Sequence, residues 1–316
     1  MPALPTIGRV PPPPPDTDGS VATRVVSLGE AAALVRDGDH LALSGFACAR
    51  NAVAFSHELI RQGRCDLTIS ACIFGLDADL LVGAGRVRRV IYGGGSLDRF
   101  GQLQRVNAAI EQGSLQVDYT SSLAVCFRYL AGALGLPFMP IKSLLGSDLL
   151  THQPDSQREL DCPFTGERLV LLRAMVPDVA VVQAQMADAE GNARILGPRW
   201  DNNEAAKAAR LVIVVTEQLV PTELIRRQPE LTLVPGFRVS AVVPLAYGAH
   251  PTSLYGCYDY DAEHLTRYVA QTRTQAGFDD YLAEFVLEPG DHLAYLEKIG
   301  GVRALAPLRA DPALGY

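Results

Sequence analysis

The sequence predicts an α/β protein built on an open, mainly parallel, twisted sheet that is flanked by helices. Apolar runs of strand length alternate along the chain with segments of helical spacing, and this alternation is typical of parallel sheets. Two of the runs, residues 178–185 and 211–216, are rich in β-branched residues, as expected of central strands that are covered on both faces. Hydrophobic residues make up 48% of the 316 residues and charged residues 20%, a balance that supports a large core.

The individual elements follow from start and stop signals. Ser27 and Glu30 have the spacing of a capping box, so a first helix is expected to begin there and to stop at Asp37-Gly38. The segment 261–299 is predicted to be mostly helical. The other predicted strands are 40–44, 66–70 and 87–92, and the other predicted helices are 51–61, 76–82, 106–112, 121–134, 203–210 and 221–227.

A single domain, residues 23–316, is expected to follow a proline-rich N-terminal tail at residues 1–22. The tail contains five consecutive prolines, Pro11 to Pro15. Such a run is stiff in the polyproline II conformation and cannot join the interior of a sheet. We therefore expect a tail, or an arm that lies on a partner.

Composition excludes several classes of function. A formal charge of −7 gives no basic footprint for nucleic acid and does not favour an anionic membrane surface. No apolar run approaches the length of a membrane span, and the N-terminus lacks a secretory signal, so we expect a cytoplasmic protein. The six cysteines include no C-x-x-C pair, so we expect reduced thiols and no metal site.

Ligands of open α/β sheets bind beyond the carboxyl ends of the strands, which directs attention to three loops. The first contains Ser44, Gly45, Phe46 and Arg50 and leads into a predicted helix that Asn51 would cap. The small residues would let the backbone approach a ligand, and the N–H groups of the helix start could hold an anion. Arg50 could meet a phosphate or a carboxylate. A tight turn in which glycine only meets a dihedral requirement explains the pattern about equally well.

The second loop holds Gly93, Gly94 and Gly95, directly after a predicted strand. Three consecutive glycines are costly in entropy, so they indicate either a close backbone approach or a flexible loop. The third loop contains Ser147, whose hydroxyl could bind a ligand or could cap a turn. Neither a nucleotide-binding glycine fingerprint nor the G-x-S-x-G elbow of a hydrolase is present.

The histidines offer one further candidate. His250 lies in a loop beside aromatic residues and is the most suggestive of the six, although a single histidine in such a place is more often structural. His152, His264 and His292 are expected at the surface.

Several stretches together resemble the A chain of glutaconate CoA-transferase, the alpha subunit of a family I CoA-transferase. The most specific begins with Tyr-Gly-Ala-His-Pro at residues 247–251 and continues to Asp261. Ser44 departs from the resemblance by replacing the first glycine of a Gly-Gly-Phe core, and residues 95–107 show little likeness. The matching stretches are 37–46, 58–63, 66–68, 85–87, 132–138, 162–164, 177–180, 188–192, 235–236, 247–261 and 314–316.

The resemblance implies a fold, a partner and a chemistry. It implies a hetero-oligomer, A2B2 or larger, in which a beta subunit supplies a nucleophilic glutamate within a Ser-Glu-Asn-Gly-like motif that this chain lacks. Acyl-CoA and a carboxylate acid would be the substrates, and no cofactor besides coenzyme A would be needed. The backbone of residues 44–46 would help to stabilise the oxyanion. Arg50 or Arg105 could pair with a distal carboxylate, although Arg105 could equally be an ordinary exposed arginine.

Two other classes of function stay open from the sequence. Relatives that lose the partner's glutamate would be decarboxylases of a glutaconyl-CoA type or acyl-CoA hydrolases. The same sheet architecture also serves phosphosugar isomerases and sensors, because fold alone does not determine function.

Overall fold

The computed structural model describes residues 24–152 and 155–311. The proline-rich run and the last matching stretch, residues 314–316, lie outside these residues. The strands are β1 (His40–Ala42), β2 (Leu67–Ala71), β3 (Val87–Tyr92), β4 (Gln116–Tyr119), β5 (Phe138–Ile141), β6 (Gln157–Asp161), β7 (Arg168–Arg173), β8 (Val179–Ala187), β9 (Ala193–Arg194), β10 (Leu211–Leu219) and β11 (Ala241–Pro244). The α-helices are α1 (Leu28–Ala32), α2 (Val53–Arg61), α3 (Leu76–Gly83), α4 (Gln104–Glu111), α5 (Ser122–Ala133), α6 (Leu149–His152), α7 (Asn202–Ala208), α8 (Thr222–Arg226), α9 (Ala262–Gln271), α10 (Gln275–Leu282), α11 (His292–Lys298) and α12 (Val302–Leu305).

The predicted α/β sheet is confirmed. Eight strands form one sheet in the order β11-β10-β8-β1-β2-β3-β4, with β9 added antiparallel to β8 and all the other pairs parallel. The two β-branched runs are its central strands β8 and β10, which pair from Leu211 opposite Val179 onwards. Because the strands are parallel, the loops after β1, β2, β8 and β10 all emerge at the same edge.

Helices cover both faces of this sheet. On one face, α1, α2 and α3 pack with the C-terminal helices on residues such as Leu41, Ile69 and Ile213. On the other face, α5 and α7 pack on Ala180 and Ile91. Both faces of the central strands are therefore buried, which explains why their sequences are continuously apolar.

A second, antiparallel sheet in the order β5-β7-β6 was not predicted. It packs on α5 through a small cluster that includes Ala124, Ile141, Val170 and Leu172. The outermost strand, β6, is polar and mostly exposed. A half-exposed strand of this composition carries little of the alternation from which strands are predicted.

The caps of two helices show one confirmed prediction and one that is wrong. The Oγ of Ser27 accepts the N–H of Glu30 at 3.2 Å and the Glu30 carboxylate accepts the N–H of Ser27 at 2.8 Å, as in a capping box. Asn51 does not cap α2, which begins after Ala52 without a side-chain cap. Its Oδ1 instead accepts the N–H of Leu76 at 3.3 Å, so that it caps α3.

His264 and His292 are buried, and their predicted surface position is wrong. Nε2 of His264 lies 2.8 Å from the hydroxyl of Tyr281, and Nε2 of His292 lies 2.8 Å from the carbonyl oxygen of Ala246. Such partners allow a polar ring to be buried. Burial lowers the pKa of His264 to about 3 and that of His292 to about 4.

We expect these rings to make the fold sensitive to acid. Their folded pKa values lie below the ordinary value of 6.5, so the unfolded state binds more protons and stability falls as the pH drops below about 6.5. Each ring should contribute a slope of up to about 1.4 kcal/mol per pH unit. His264→Gln should flatten the slope between about pH 5 and 6.5 in denaturant titrations. Glu263→Gln, on the exposed face of the same helix, should keep it, and an unchanged slope in His264→Gln would contradict this assignment.

Candidate active site

The loop after β1 is a strained turn. Gly45 has a φ of +87°, and a Cβ there would overlap the carbonyl oxygen of Ala49, so only glycine fits. Two other residues of the turn, Ala47 and Arg50, also have left-handed backbone angles, with φ of 50° and 60°. Non-glycine residues in this region are uncommon and cluster at functional sites. The glycine thus meets a dihedral requirement, while the turn as a whole has the character of a ligand-binding loop.

The backbone N–H groups of this turn are already hydrogen-bonded within the chain. The N–H of Gly45 donates to Oδ1 of Asn202 at 3.1 Å, and the N–H of Phe46 donates to Ala49 at 2.9 Å. The Ser44 hydroxyl donates to the same Oδ1 at 3.2 Å. The predicted oxyanion role of this backbone is not supported, because a donor that is engaged in the ground state is not free for a developing charge.

Asp201 and Asn202 tie the strand ends together and were not predicted. The carboxylate of Asp201 accepts the N–H of Cys72, beyond β2, at 2.7 Å and the side-chain amide of Asn202 at 3.0 Å. Asn202 in turn holds Ser44 and Gly45, beyond β1. Burial raises the pKa of Asp201, against the lowering effect of these hydrogen bonds. In the sequence this pair shows only as a polar start to a helix.

The glycine loop makes its close approach to the chain itself. A Cβ on Gly93 would lie 2.8 Å from the carbonyl oxygen of Cys72 and 2.9 Å from Cα of Ser122. Gly94 has a φ of +138°, and its carbonyl oxygen accepts the N–H of Phe74 at 2.9 Å. The predicted close backbone contact therefore exists, but protein atoms supply it. These glycines bring the loop against β2 and the start of α5.

Arg50 is the predicted site residue that lies at a cavity. It is 3% exposed, and its Nη2 donates to the carbonyl oxygen of Pro198 at 2.9 Å. The guanidinium lies 5.1 Å from the ring centre of Trp200, which stacks on Phe46 at 5.0 Å. Burial lowers the pKa of Arg50 to about 10, so the group stays charged at neutral pH. The cavity has a volume of about 200 Å³ and is lined by Ala49, Arg50, Leu196, Pro198, Trp200, Ser253, Tyr255, Tyr258 and Asp259.

Arg105 and Ser147 do not join this site. Arg105 is buried rather than exposed, and its guanidinium donates to the carbonyl oxygen of Arg273 at 2.8 Å and to Gln275 at 3.2 Å. It therefore anchors α4 to the turn between α9 and α10. The Oγ of Ser147 accepts the N–H of Leu149 at 3.2 Å, which caps the short helix α6 beside the small sheet.

His250 is buried and fully paired. Its Nδ1 lies 2.7 Å from the hydroxyl of Tyr295 and its Nε2 lies 3.1 Å from the carboxylate of Asp261. The ring joins the loop after β11 to the C-terminal helices, which is the structural alternative from the sequence. Among the described residues, no three of His, Cys, Asp and Glu are arranged to hold a metal ion.

Glu217, near the end of β10, is an acidic residue that the sequence pattern did not reveal. Its carboxylate accepts the N–H of Tyr247 at 2.8 Å. Burial raises its pKa to about 7. A lone glutamate at the end of an apolar run gives no sequence signal, because only the fold shows that the strand ends at the ligand-binding edge.

Comparison with known proteins identifies the class of protein. The profile of the Coenzyme A transferase family matches residues 25–244. The chain belongs to the coenzyme A transferase family. None of the helices within residues 24–152 and 155–311 has the length and apolar character of a membrane span.

Within this family the chain is of the alpha-subunit type. It is 37% identical to the alpha (A) chain of the glutaconate CoA-transferase from Acidaminococcus fermentans, over 93% of this chain and 97% of that protein. The crystal structure of that transferase superposes with a TM-score of 0.89, covering 93% of this chain and 98% of that chain at 36% identity. It is 34% identical to the alpha (A) chain of the 3-oxoadipate CoA-transferase from Pseudomonas knackmussii, over 84% of this chain and 94% of that one. A structure of the decarboxylase AibA/AibB superposes with a TM-score of 0.72 at 33% identity, covering 82% of this chain and 98% of that chain.

We expect Asn202→Ala to loosen the strand-end loops. The substitution leaves the buried N–H of Gly45 and the hydroxyl of Ser44 without their acceptor, which should cost about 2–3 kcal/mol of unfolding free energy. Asn203→Ala, the adjacent and less buried position, should cost less than about 0.5 kcal/mol. Denaturant titration of the two variants checks this. Equal losses would contradict the role given to Asn202.

Proposed function

We propose that this chain is the alpha half of a hetero-oligomeric transferase that moves coenzyme A between a dicarboxylic acyl-CoA and a carboxylate acceptor. The observation that carries the proposal is the near full-length similarity to the alpha chains of two CoA-transferases, in a chain that lacks a Ser-Glu-Asn-Gly-like motif. A beta subunit would supply the nucleophilic glutamate. We infer an A2B2 or larger assembly in the cytoplasm, and the six free cysteines accord with a reducing compartment.

The proposed chemistry is covalent and balanced. The partner's glutamate carboxylate attacks the thioester carbonyl carbon, the C–S bond breaks, and a mixed anhydride and coenzyme A thiolate form. The thiolate then attacks the glutamyl carbonyl of the anhydride, which gives a glutamyl-CoA thioester and frees the first acid. The acceptor carboxylate reverses both steps. Dividing the transfer in this way replaces one difficult step by easier ones.

The part of this chain is to shape one wall of the site. The ends of β1 and β2 are fixed by the Asp201–Asn202 pair, and the glycine loop is packed against β2. Fixed loops hold reacting groups at the required separation, which is a large component of catalysis. No N–H group of Gly45 or Phe46 is assigned to the oxyanion, and that role is left to the partner's side of the site.

The proposal predicts that activity needs two chains. The purified chain, a beta subunit from the adjacent reading frame and their mixture are each incubated with a panel of dicarboxylic acyl-CoAs and acetate, and CoA esters are followed by mass spectrometry. Transfer of coenzyme A to acetate is expected only in the mixture. Transfer by this chain alone would overturn the shared site.

A second candidate function is decarboxylation or hydrolysis of an acyl-CoA. It is favoured by the similarity to the decarboxylase AibA/AibB, which shares 33% identity with this chain. The same incubation separates the two, since loss of carbon dioxide or hydrolysis without transfer to acetate would show the diverged chemistry. The partner's sequence separates them too, because transfer requires a glutamate at the nucleophile position.

Glu217 provides an internal test of where the nucleophile lies. If the partner carries it, Glu217→Gln should keep at least about a tenth of the transfer rate, because glutamine still offers an oxygen to the N–H of Tyr247, whereas loss of a nucleophile costs up to about 10⁶-fold. Glu223→Gln, on exposed α8, serves as the matched control. The rate of CoA transfer by each two-chain complex is the measurement. A loss above about a thousandfold in Glu217→Gln alone would place the nucleophile in this chain.

A further inference from the structure

We propose that the cavity at Arg50 is a binding site for the carboxylate group of a short-chain organic acid. This inference deepens the proposed function, on which it rests, by assigning the acid substrate a subsite formed by this chain alone. The site consists of Arg50, Trp200, Tyr255, Tyr258, Leu196 and Pro198, with Ser253 and Asp259 also lining it.

The guanidinium of Arg50 is one acceptor short. Nη2 donates to Pro198, but Nη1 is buried without a hydrogen-bond partner. Asp201 is the acid with the largest electrostatic effect on Arg50, and its two oxygens already accept hydrogen bonds from Cys72 and Asn202. An unpaired donor on a buried cation is costly, so a native site normally supplies an acceptor. A carboxylate that enters the cavity supplies it with a charge-assisted hydrogen bond.

The walls and size of the cavity indicate the class of acid. Apolar and aromatic surface from Leu196, Pro198, Trp200 and Tyr255 surrounds the single buried cation, an arrangement that suits a short carbon chain with a carboxylate at its end. Its volume of about 200 Å³ is below the roughly 300–1,000 Å³ of pockets for drug-sized ligands. Succinate and glutarate have a suitable size, whereas coenzyme A is far larger. Asp259, the acidic residue of the lining, is solvent-exposed and screened.

Two structural features show that the site is built rather than accidental. Arg50 and Trp200 both have left-handed backbone angles, with φ of 60° and 47°, and such angles persist only where the surroundings enforce them. Phe46 stacks on Trp200, which lies 5.1 Å from the guanidinium. The cavity is therefore continuous with the turn after β1, at the edge of the sheet where ligands of this architecture bind.

Trp200 is the only tryptophan of the chain, so its fluorescence reports on this cavity directly. The purified full-length chain is titrated with succinate, glutarate and acetate at constant ionic strength, with acetamide as the neutral control. Saturable fluorescence changes are expected with the acids and not with acetamide. Arg50→Gln should raise the dissociation constant at least about tenfold, as expected for loss of a charged hydrogen bond. Arg99→Gln, an exposed arginine stacked on Phe100 and Tyr260 outside the cavity, should leave it unchanged.

A second variant keeps the test decisive if Arg50→Gln does not fold. Leu196→Phe fills the cavity from its rim, retains Arg50 and adds no tryptophan, so it should weaken acid binding by a similar factor. Absence of a saturable change in the folded wild-type chain, or equal binding by wild type and Leu196→Phe, overturns the proposal. Failure here is distinguishable from failure of the proposed function, because this titration needs neither the partner nor turnover.

Discussion

The parallel pairing of β1, β8 and β10 is the constraint on which the rest of the structure depends. It brings residues that are far apart in the chain to one edge of the sheet, where the loops after β1, β2 and β8 meet. Burial of both faces makes this register strongly specified. The pair Asp201–Asn202 then acts at that edge, and its hydrogen bonds to Ser44, Gly45 and Cys72 join the strand ends.

The site that results is rigid and incomplete. Engaged N–H groups, glycines packed on protein atoms and left-handed residues give loops with little freedom to rearrange. The exception is Arg50, a buried cation with a free donor beside a cavity. A wall of this kind can position an acid but provides no nucleophile of its own, which agrees with the division of labour proposed between two subunits.

The sequence predicted the parts of the fold in which local pattern and burial agree. The β-branched runs became β8 and β10, and the capping box at Ser27 formed as expected. The small sheet was not predicted, because an exposed polar strand such as β6 carries little periodicity. Asn51 was assigned to the wrong helix, since a cap is decided by proximity in space and its side chain meets the N–H of Leu76 at the start of α3.

The candidate site was predictable only where strand ends mark it. Arg50 could be selected because it follows an apolar strand, but its neighbour Trp200 lies at a distant sequence position that only the β1–β8 pairing brings close. Arg105 and His264 show the reverse error. Both are polar residues expected at the surface that tertiary partners allow to be buried.

The central claim is that the nucleophile belongs to a second chain, and the intact masses of both chains after reaction with an acyl-CoA test it most directly. The two-chain complex is mixed with a dicarboxylic acyl-CoA, quenched before the acceptor is added, and each chain is weighed. The account predicts a coenzyme A adduct on a glutamate of the partner and an unmodified mass for this chain. An adduct on this chain, with the partner unmodified, would contradict it.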